Sequence, residues 1–251
     1  MTVVTRDRVL AEANALLQPD DFEDYCPNGL QVEGKADIRL LVSGVTASQR
    51  LIEQAIACGA DAIVVHHGYF WKGDSPVLTG MLRQRIGLLL QHNISLLAYH
   101  LPLDAHATLG NNAMLARQLG IEQAAPVAEG RLLWSGVLQR PCDSAALSAH
   151  LERALQRRPL HFGEGPQSIR RVAWCTGAAQ GYLSDAVKAG VDAYITGEAS
   201  EQTVHEAREQ GIHCFAAGHH ATERYGVKAL GDALANALGI RHQFLDCDNP
   251  V

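Results

Sequence analysis

Ala55-Ile-Ala-Cys-Gly59-Ala-Asp61-Ala62-Ile-Val64 is the stretch that decides the fold, because it returns in looser form as Ala186-Val-Lys-Ala-Gly190-Val-Asp192-Ala193-Tyr-Ile195. In both copies the pattern predicts a helix that ends at a glycine, the residue best suited to a left-handed C-cap. A strand-like run follows that glycine at once. The strand before each helix also recurs, and each is expected to run into a turn containing Gly44 or Gly177.

Outward from this repeat, helical patterns alternate with short, β-branched-rich apolar runs. The helical patterns cover residues 5–17, 48–58 and 79–91, and the strand-like runs cover Ile38–Val42, Ala62–Val65 and Ser95–Tyr99. Unalternating strands separated by helices predict parallel sheets that are buried on both faces. The sequence therefore predicts an α/β protein with loosely repeated halves.

The region between the two copies has a different pattern of hydrophobic, glycine and proline residues. Trp134–Gln139 is typical of an extended strand and Ala145–Gln156 of an amphipathic helix, with a Gly- and Pro-punctuated loop after it. We therefore expect two lobes. The first lobe covers residues 1–125 and is rejoined by residues 215–251, and the second covers residues 126–214.

Composition and charge limit the classes of protein to which this chain can belong. The chain has 251 residues, 47% of them hydrophobic, and a formal net charge of −6. No basic run exceeds Arg157-Arg158, so the charge does not support a broad nucleic-acid interface, although a small anionic substrate stays possible. The N-terminus lacks the apolar core of a signal peptide, and no run is long enough to span a membrane. Six scattered cysteines without a C-x-x-C pair indicate reduced, buried thiols and a cytoplasmic protein.

Polar residues gather where the predicted strands end, which is where parallel sheets place their binding groups. Four strand ends are followed by such residues: His66 and His67, His100 and Asp104, Glu198, and His219 and Glu223. Imidazole and carboxylate without nearby cysteine favour zinc, manganese or iron over a thiolate site. Because adjacent residues of a strand point in different directions, two ions suit His66 and His67 better than one.

Spacing adds detail to this hypothesis. His219 and Glu223 are four residues apart and share a face if a helix begins there. His100 and Asp104 have the same spacing, but Pro102 favours a loop. A carboxylate that bridges two ions about 3.5–4 Å apart helps to generate a nucleophilic hydroxide.

Other features are less specific, and two of them have two interpretations each. Glu198 is either a general acid or base or an acid that faces a helix dipole. Tyr69-Phe70-Trp71-Lys72 either stacks on a base and pairs with a phosphate or simply packs. Asn111-Asn112 is expected to cap a helix over Ala113–Leu119, and Pro27-Asn28-Gly29 to form a tight turn. The remaining histidines are interpreted as ordinary surface or hydrogen-bonded residues: His92, His106, His150, His161, His213 and His242.

Four segments stand out together: Asn28-Gly-Leu-Gln-Val-Glu-Gly34, Val65-His-His-Gly-Tyr-Phe-Trp-Lys-Gly73, His100-Leu-Pro-Leu-Asp104 and Ala217-Gly-His-His-Ala-Thr-Glu-Arg224. In combination they resemble the family of GTP cyclohydrolase I type 2 homologs, also called Nif-three-like proteins. The resemblance covers nearly the whole chain and is closest to the short bacterial members. It implies a two-lobed α/β subunit, a toroidal homohexamer and a dinuclear metal centre that faces the internal cavity.

The resemblance also implies particular ligands for two divalent ions. They fall on His66, His67, Asp104, His219 and Glu223, with Glu223 as the bridge and His100 as a neighbour. Many relatives have Gly-Asp followed closely by a histidine where this chain has Gly197-Glu198 and no histidine before His205. The role of Glu198 is therefore open.

These observations predict a metal-dependent hydrolase of a small nucleotide-like substrate, similar to a GTP cyclohydrolase or a phosphoesterase. Water held between the ions would be the nucleophile, and His100 or Glu198 the catalytic proton shuttle. The alternative is a metal-binding ring that acts as a scaffold or regulatory protein without turnover.

Overall fold

The computed structural model describes residues 2–127 and 132–251. The chain divides into two compact units, one formed by Met1–Gly110 with Gly226–Cys247 and the other by Asn111–Tyr225 with Asp248–Val251. The helices are α1 (Arg6–Leu17), α2 (Gln49–Ala57), α3 (Gly80–Gln91), α4 (Leu101–Ala105), α5 (Asn111–Leu119), α6 (Ser144–Leu155), α7 (Leu183–Lys188), α8 (Glu201–Glu209) and α9 (His219–Leu238). The strands are β1 (Val4–Thr5), β2 (Gly29–Val32), β3 (Asp37–Ile38), β4 (Leu40–Thr46), β5 (Ala62–His67), β6 (Ser95–Ala98), β7 (Ile121–Pro126), β8 (Trp134–Cys142), β9 (Leu160–Phe162), β10 (Ile169–Cys175), β11 (Ala193–Thr196), β12 (His213–Ala216) and β13 (Arg241–Phe244).

Each unit contains a mixed sheet around a parallel core. In the first unit the order is β13-β4-β5-β6-β2, in which only β2 runs antiparallel to its neighbour. In the second unit the order is β7-β8-β10-β11-β12-β9, and only β10, β11 and β12 are mutually parallel. The α/β class is confirmed. The expectation of parallel-rich sheets is confirmed as well, and antiparallel strands lie at one edge of the first sheet and at both edges of the second.

Both faces of each parallel core are buried, as the unalternating strands predicted. Along β5, Val64 packs into one hydrophobic cluster, while Ile63 and Val65 pack into another. Along β10, Trp174 and Ala173 likewise belong to different clusters. Successive side chains of a strand point to opposite faces, so each sheet is covered by helices on two sides.

The repeated glycine and aspartate perform the same task in both units. Gly59 and Gly190 have φ angles of 72° and 68° and follow the ends of α2 and α7. One carboxylate oxygen of Asp61 accepts hydrogen bonds from the backbone N–H groups of Arg39 and Leu40, at 2.9 and 3.1 Å. Asp192 accepts two equivalent bonds of 2.8 Å from residues 170 and 171. Each aspartate thereby fixes the start of the neighbouring parallel strand.

The boundaries of the units differ from those expected for the lobes. Helix α5 and strand β7 lie in the second unit, because Leu115 and Leu119 of α5 pack in the same cluster as Trp174. Helix α9 contributes to both cores. Ala221 in its first turn belongs to the cluster of the second unit, and Leu230 belongs to a cluster of the first.

Two expectations about bulk properties have different outcomes. All six cysteines are free thiols, but Cys58 is exposed, so the expectation that all six are buried is wrong. Cys58 is the C-cap residue of α2, a position at which the chain leaves the core. No helix within residues 2–127 and 132–251 combines the length and apolarity needed to cross a membrane.

Candidate metal centre

His66 and His67 are the last two residues of β5, and their rings lie 4.4 Å apart between centroids. His66 is completely buried. Its Nδ1 lies 2.9 Å from the carbonyl oxygen of Tyr99, which can only accept, so Nδ1 carries the proton. The other nitrogen, Nε2, therefore presents a lone pair, as in histidines whose tautomer is fixed for metal binding.

Asp104 is the carboxylate that the sequence predicted as a ligand in this unit, and it lies on a helix rather than in a loop. Helix α4 has Pro102 in its first turn, where the missing N–H has no helical partner to lose. The expectation of a loop was therefore wrong. The Asp104 side chain is 10% exposed, and its Oδ1 lies 3.5 Å from Nε2 of His66.

His100 completes the group of histidines in the first unit. One ring nitrogen each from His66, His67 and His100 lie within 4.8 Å of one another. Nδ1 of His100 donates to Oδ1 of Asp24 at 2.7 Å, so Nε2 is the ring nitrogen that faces the other histidines. Burial raises the pKa of Asp24, but the hydrogen bonds from His100 and Asn28 outweigh it and bring the pKa to about 2. Asp24 is thus a permanent anion that orients His100.

The sequence patterns did not predict the two residues that hold His100 in place, Asp24 and Asn28. Asp24 was not among the candidate residues, and Asn28 was interpreted as part of a tight turn. Asn28 donates to Asp24 at 2.9 Å and accepts from the backbone N–H of His100 at 2.8 Å. The one available signal was that Asn28 opens a segment shared with the resembling family.

The expectation that no cysteine lies near the site is wrong, because the structure places one thiol beside His100. Cys26 lies within 4.8 Å of the ligand atoms of Asp24 and His100. Burial, together with the charge of Asp24, raises the pKa of the Cys26 thiol to about 12. The Cys26 thiol is therefore protonated near neutral pH unless a metal ion displaces the proton.

In the second unit, α9 begins at His219, as the four-residue spacing required. Nε2 of His219 lies 3.1 Å from Oε2 of Glu223, one helical turn later. Nδ1 of His219 lies 2.6 Å from Oε1 of Glu198. Glu198 therefore contacts the ring of His219. A side chain at Gly177, where φ is 71°, would collide with the carboxylate of Glu223.

The electrostatics of this pair favour a cation. Burial alone lowers the pKa of His219, but the carboxylates of Glu223 and Glu198 raise it to about 9. Glu223 has a side chain that is only 3% exposed. A buried carboxylate beside an imidazole holds a positive charge, whether it is a proton or a metal ion. The donor sets of both units thus fit divalent metal ions of the zinc, manganese or iron type.

Several other histidines have structural roles. His150 contacts the carbonyl of Leu119 at 2.9 Å, and His161 lies 3.2 Å from His213. His242 contacts Ser43 at 2.7 Å and Asp232 at 2.8 Å. These contacts use the ring nitrogens for packing elements together.

Comparison with known proteins supports the family assignment. The family described as Duf34/NIF3 (NGG1p interacting factor 3) matches residues 4–250. A Pseudomonas aeruginosa protein named GTP cyclohydrolase 1 type 2 homolog is 55% identical over 246 residues, which cover 97% of each chain. The Escherichia coli K12 protein of the same name is 51% identical, over 95% of this chain and 96% of that protein.

Solved structures agree with this match. The protein ybgI, described as having unknown function, superimposes with a TM-score of 0.96 at 48% identity, over 99% of this chain and 100% of that one. A Thermus thermophilus protein gives a TM-score of 0.88 at 33% identity, over 99% of this chain and 100% of that one. Matches of this extent in sequence and structure show that the chain belongs to the Duf34/NIF3 family.

Proposed function

We propose that the protein is a hydrolase that uses two divalent metal ions on a small nucleotide-like substrate. The observation that carries the proposal is the pair of preorganised donor sets at the strand ends, one in each unit. Two imidazoles of these sets, those of His66 and His219, have one nitrogen fixed by a carbonyl or a carboxylate. The name shared by the curated relatives supports nucleotide-like chemistry.

The two donor sets would together hold the ions. The first unit would supply His66, His67 and Asp104, and the second would supply His219 and the bridging carboxylate of Glu223. The family resemblance supports this assignment, and His219 and Glu223 lie in the first two turns of α9. When bound, a metal pair of this type lowers the pKa of water and so supplies hydroxide at neutral pH.

The proton-transfer roles differ between the two candidates. Glu198 contacts Nδ1 of His219 at 2.6 Å, which suits a residue that positions His219. His100 is held by Asp24 through Nδ1, so its Nε2 is available to accept a proton beside His66 and His67. We therefore favour His100 as the proton shuttle and Glu198 as a positioning residue. The homohexameric ring stays a prediction, which the particle mass in solution would check.

Metal analysis tests the site directly. We expect about two ions per chain in the purified protein, and at most one in His66→Ala or Glu223→Ala, with the circular dichroism of both variants unchanged. His92→Ala, which alters an exposed histidine at the end of α3, is the matched control and should keep both ions. Unchanged metal content in both site variants would refute the assignment. The hydrolase activity is tested by incubating the metal-loaded protein with nucleotides and phosphoesters and detecting the products by mass spectrometry. If none of these compounds is converted, the scaffold alternative is favoured.

A further inference from the structure

A cavity of about 440 Å³ lies in the first unit, next to the histidines of β5. The segment that follows His67 forms one wall, and the first two turns of α3 form the other. Its volume is within the range of small-molecule sites. No residue proposed as a metal ligand lines it.

The wall that follows His67 is held in a fixed shape. The side chain of Gln31 accepts from the backbone N–H of Tyr69 at 2.7 Å and donates to its carbonyl at 3.1 Å. Gly68 permits this approach, because a Cβ there would collide with Gln31. The hydroxyl of Tyr69 donates to the carbonyl of Ala47 at 2.7 Å, so the ring is anchored as well. The wall is therefore preformed.

Phe70 departs from ordinary backbone geometry at this point. Its φ angle is 64°, a left-handed conformation that an aromatic residue rarely adopts, and the residue is 40% exposed. Strained residues of this kind cluster at ligand sites. Trp71, the next residue, lines the cavity and lies edge-on to His100, with ring centroids 4.9 Å apart. Trp71 therefore contacts both the cavity and the histidine group.

The opposite wall contains a cation without a carboxylate partner among the described residues. Arg85 lines the cavity, and its Nε is buried with no hydrogen-bond acceptor in the part of the chain that the structure describes. Asp74 and Ser75 line the same space. Because the Asp74 carboxylate shares the cavity with the guanidinium, the field suits a neutral ring with both acceptors and donors better than a free anion.

We propose that this cavity is a subsite for a planar heterocycle that presents a lactam, a ring carbonyl beside a ring N–H. Arg85 donates to the carbonyl, Asp74 accepts from the N–H, and Phe70 and Trp71 contact the ring face. This inference rests on the proposed function, because it places the ring of the substrate next to His67 and His100. It adds residues that choose the substrate but take no part in metal binding.

Inosine and adenosine test the proposal, because inosine has a lactam where adenosine has an amino group and an unprotonated nitrogen. Calorimetric titration of the metal-loaded protein should give a dissociation constant for inosine about tenfold below that for adenosine. Arg85→Ala should weaken inosine about tenfold and leave adenosine unchanged. Arg83→Ala, an exposed arginine of the same helix, should change neither. Phe70→Ala should weaken both nucleosides alike.

The failure of this proposal can be separated from failure of the proposed hydrolase. The same titrations are repeated on the metal-depleted protein and on His66→Ala. Inosine binding that depends on Arg85 in those samples upholds the subsite even if no hydrolysis occurs. Equal affinity for the two nucleosides, no binding of inosine at millimolar concentration, or an Arg85→Ala variant that is folded and unaffected overturns it, whatever the metal content.

Discussion

In the first unit β4 leads through α2 to the parallel strand β5, and in the second unit β10 leads through α7 to β11. Leu41 pairs with Ala62 in one core, and Val172 pairs with Ala193 in the other. Beyond this shared plan the strand ends diverge. The first unit places three imidazoles together, whereas the second places one imidazole between two carboxylates. The backbone plan therefore fixes where polar residues lie, and the residues at the tips decide which donors each unit supplies.

One glycine in each copy, Gly44 and Gly177, shows why the two strand ends differ. Both were expected in turns. Gly44 is instead a strand residue, because β4 continues to Thr46, which pairs with His67. Gly177 follows the end of β10 in a left-handed conformation and makes room for the carboxylate of Glu223. The two strands are equally long, but β4 continues past its glycine to pair with a histidine, whereas β10 ends before its glycine, which leaves room for a glutamate.

The largest expected effect comes from adding a methyl group at these two glycines. Gly177→Ala should cost about 2–4 kcal/mol, because it combines a left-handed backbone with a collision against Glu223. It should also lower metal content. Gly44→Ala should cost about 1–3 kcal/mol and keep the metal, since the three atoms nearest to its Cβ belong to the side chain of Leu51 and not to a metal ligand. Urea denaturation and elemental analysis measure both. Equal metal content in the two variants would contradict the contrast.

A smaller effect is expected at the aspartates that the two copies share. Asp61→Ala and Asp192→Ala should each cost about 2–3 kcal/mol, because each leaves two backbone N–H groups without their charged acceptor. Asp61 differs in one respect, since Lys35 donates to it at 2.8 Å. Burial raises the pKa of Asp61, but the bonds from Lys35 and the backbone outweigh it and lower the pKa below 3.8.

The lowered pKa sets the direction of the pH dependence. The contribution of Asp61 is complete above its ordinary pKa of 3.8 and is lost as the pH falls through its folded value. The stability difference between the wild type and Asp61→Ala, measured by urea denaturation, should therefore shrink below about pH 4. A difference that stays constant from pH 6 to about pH 3 would show that the carboxylate charge is not what holds the strand.

The repeat made much of the fold predictable, because its glycine and aspartate act locally. The antiparallel edge strands were not predictable in the same way. β9 pairs with β12 across a large sequence separation, and such pairing depends on which strands the parallel core leaves open. Helix α4 was missed because Pro102 was treated as a helix breaker, although it lies in the first turn.

The residues of the candidate site likewise include some that the sequence predicts and some that it does not. His66, His67, His219 and Glu223 follow from the ends of strands, which periodicity reveals. Asp24 does not, because it is 76 residues from His100 and lies in a segment without periodic hydrophobicity. Only the folded chain brings that carboxylate to the imidazole.

The smallest expected effect concerns the N-terminal cap of one helix in each unit, α2 in the first and α8 in the second. Ser48 begins α2 with a single bond from the N–H of Leu51 to its hydroxyl, at 3.3 Å. Ser200 begins α8 with a reciprocal pair, in which its hydroxyl accepts from the N–H of Thr203 and its own N–H donates to the Thr203 hydroxyl at 3.1 Å. Thr203 is buried, so its hydroxyl has little access to water once the partner is altered.

Ser48→Ala should therefore cost about 0.5–1 kcal/mol, and Ser200→Ala about 1–2 kcal/mol, in the free energy of unfolding. Thr203→Val combined with Ser200→Ala should cost less than the sum of the two single changes, because both remove parts of one pair. Strict additivity would mean that the two bonds of α8 act separately. The caps of the two units would then be equivalent, and the difference between the units would be confined to the strand tips.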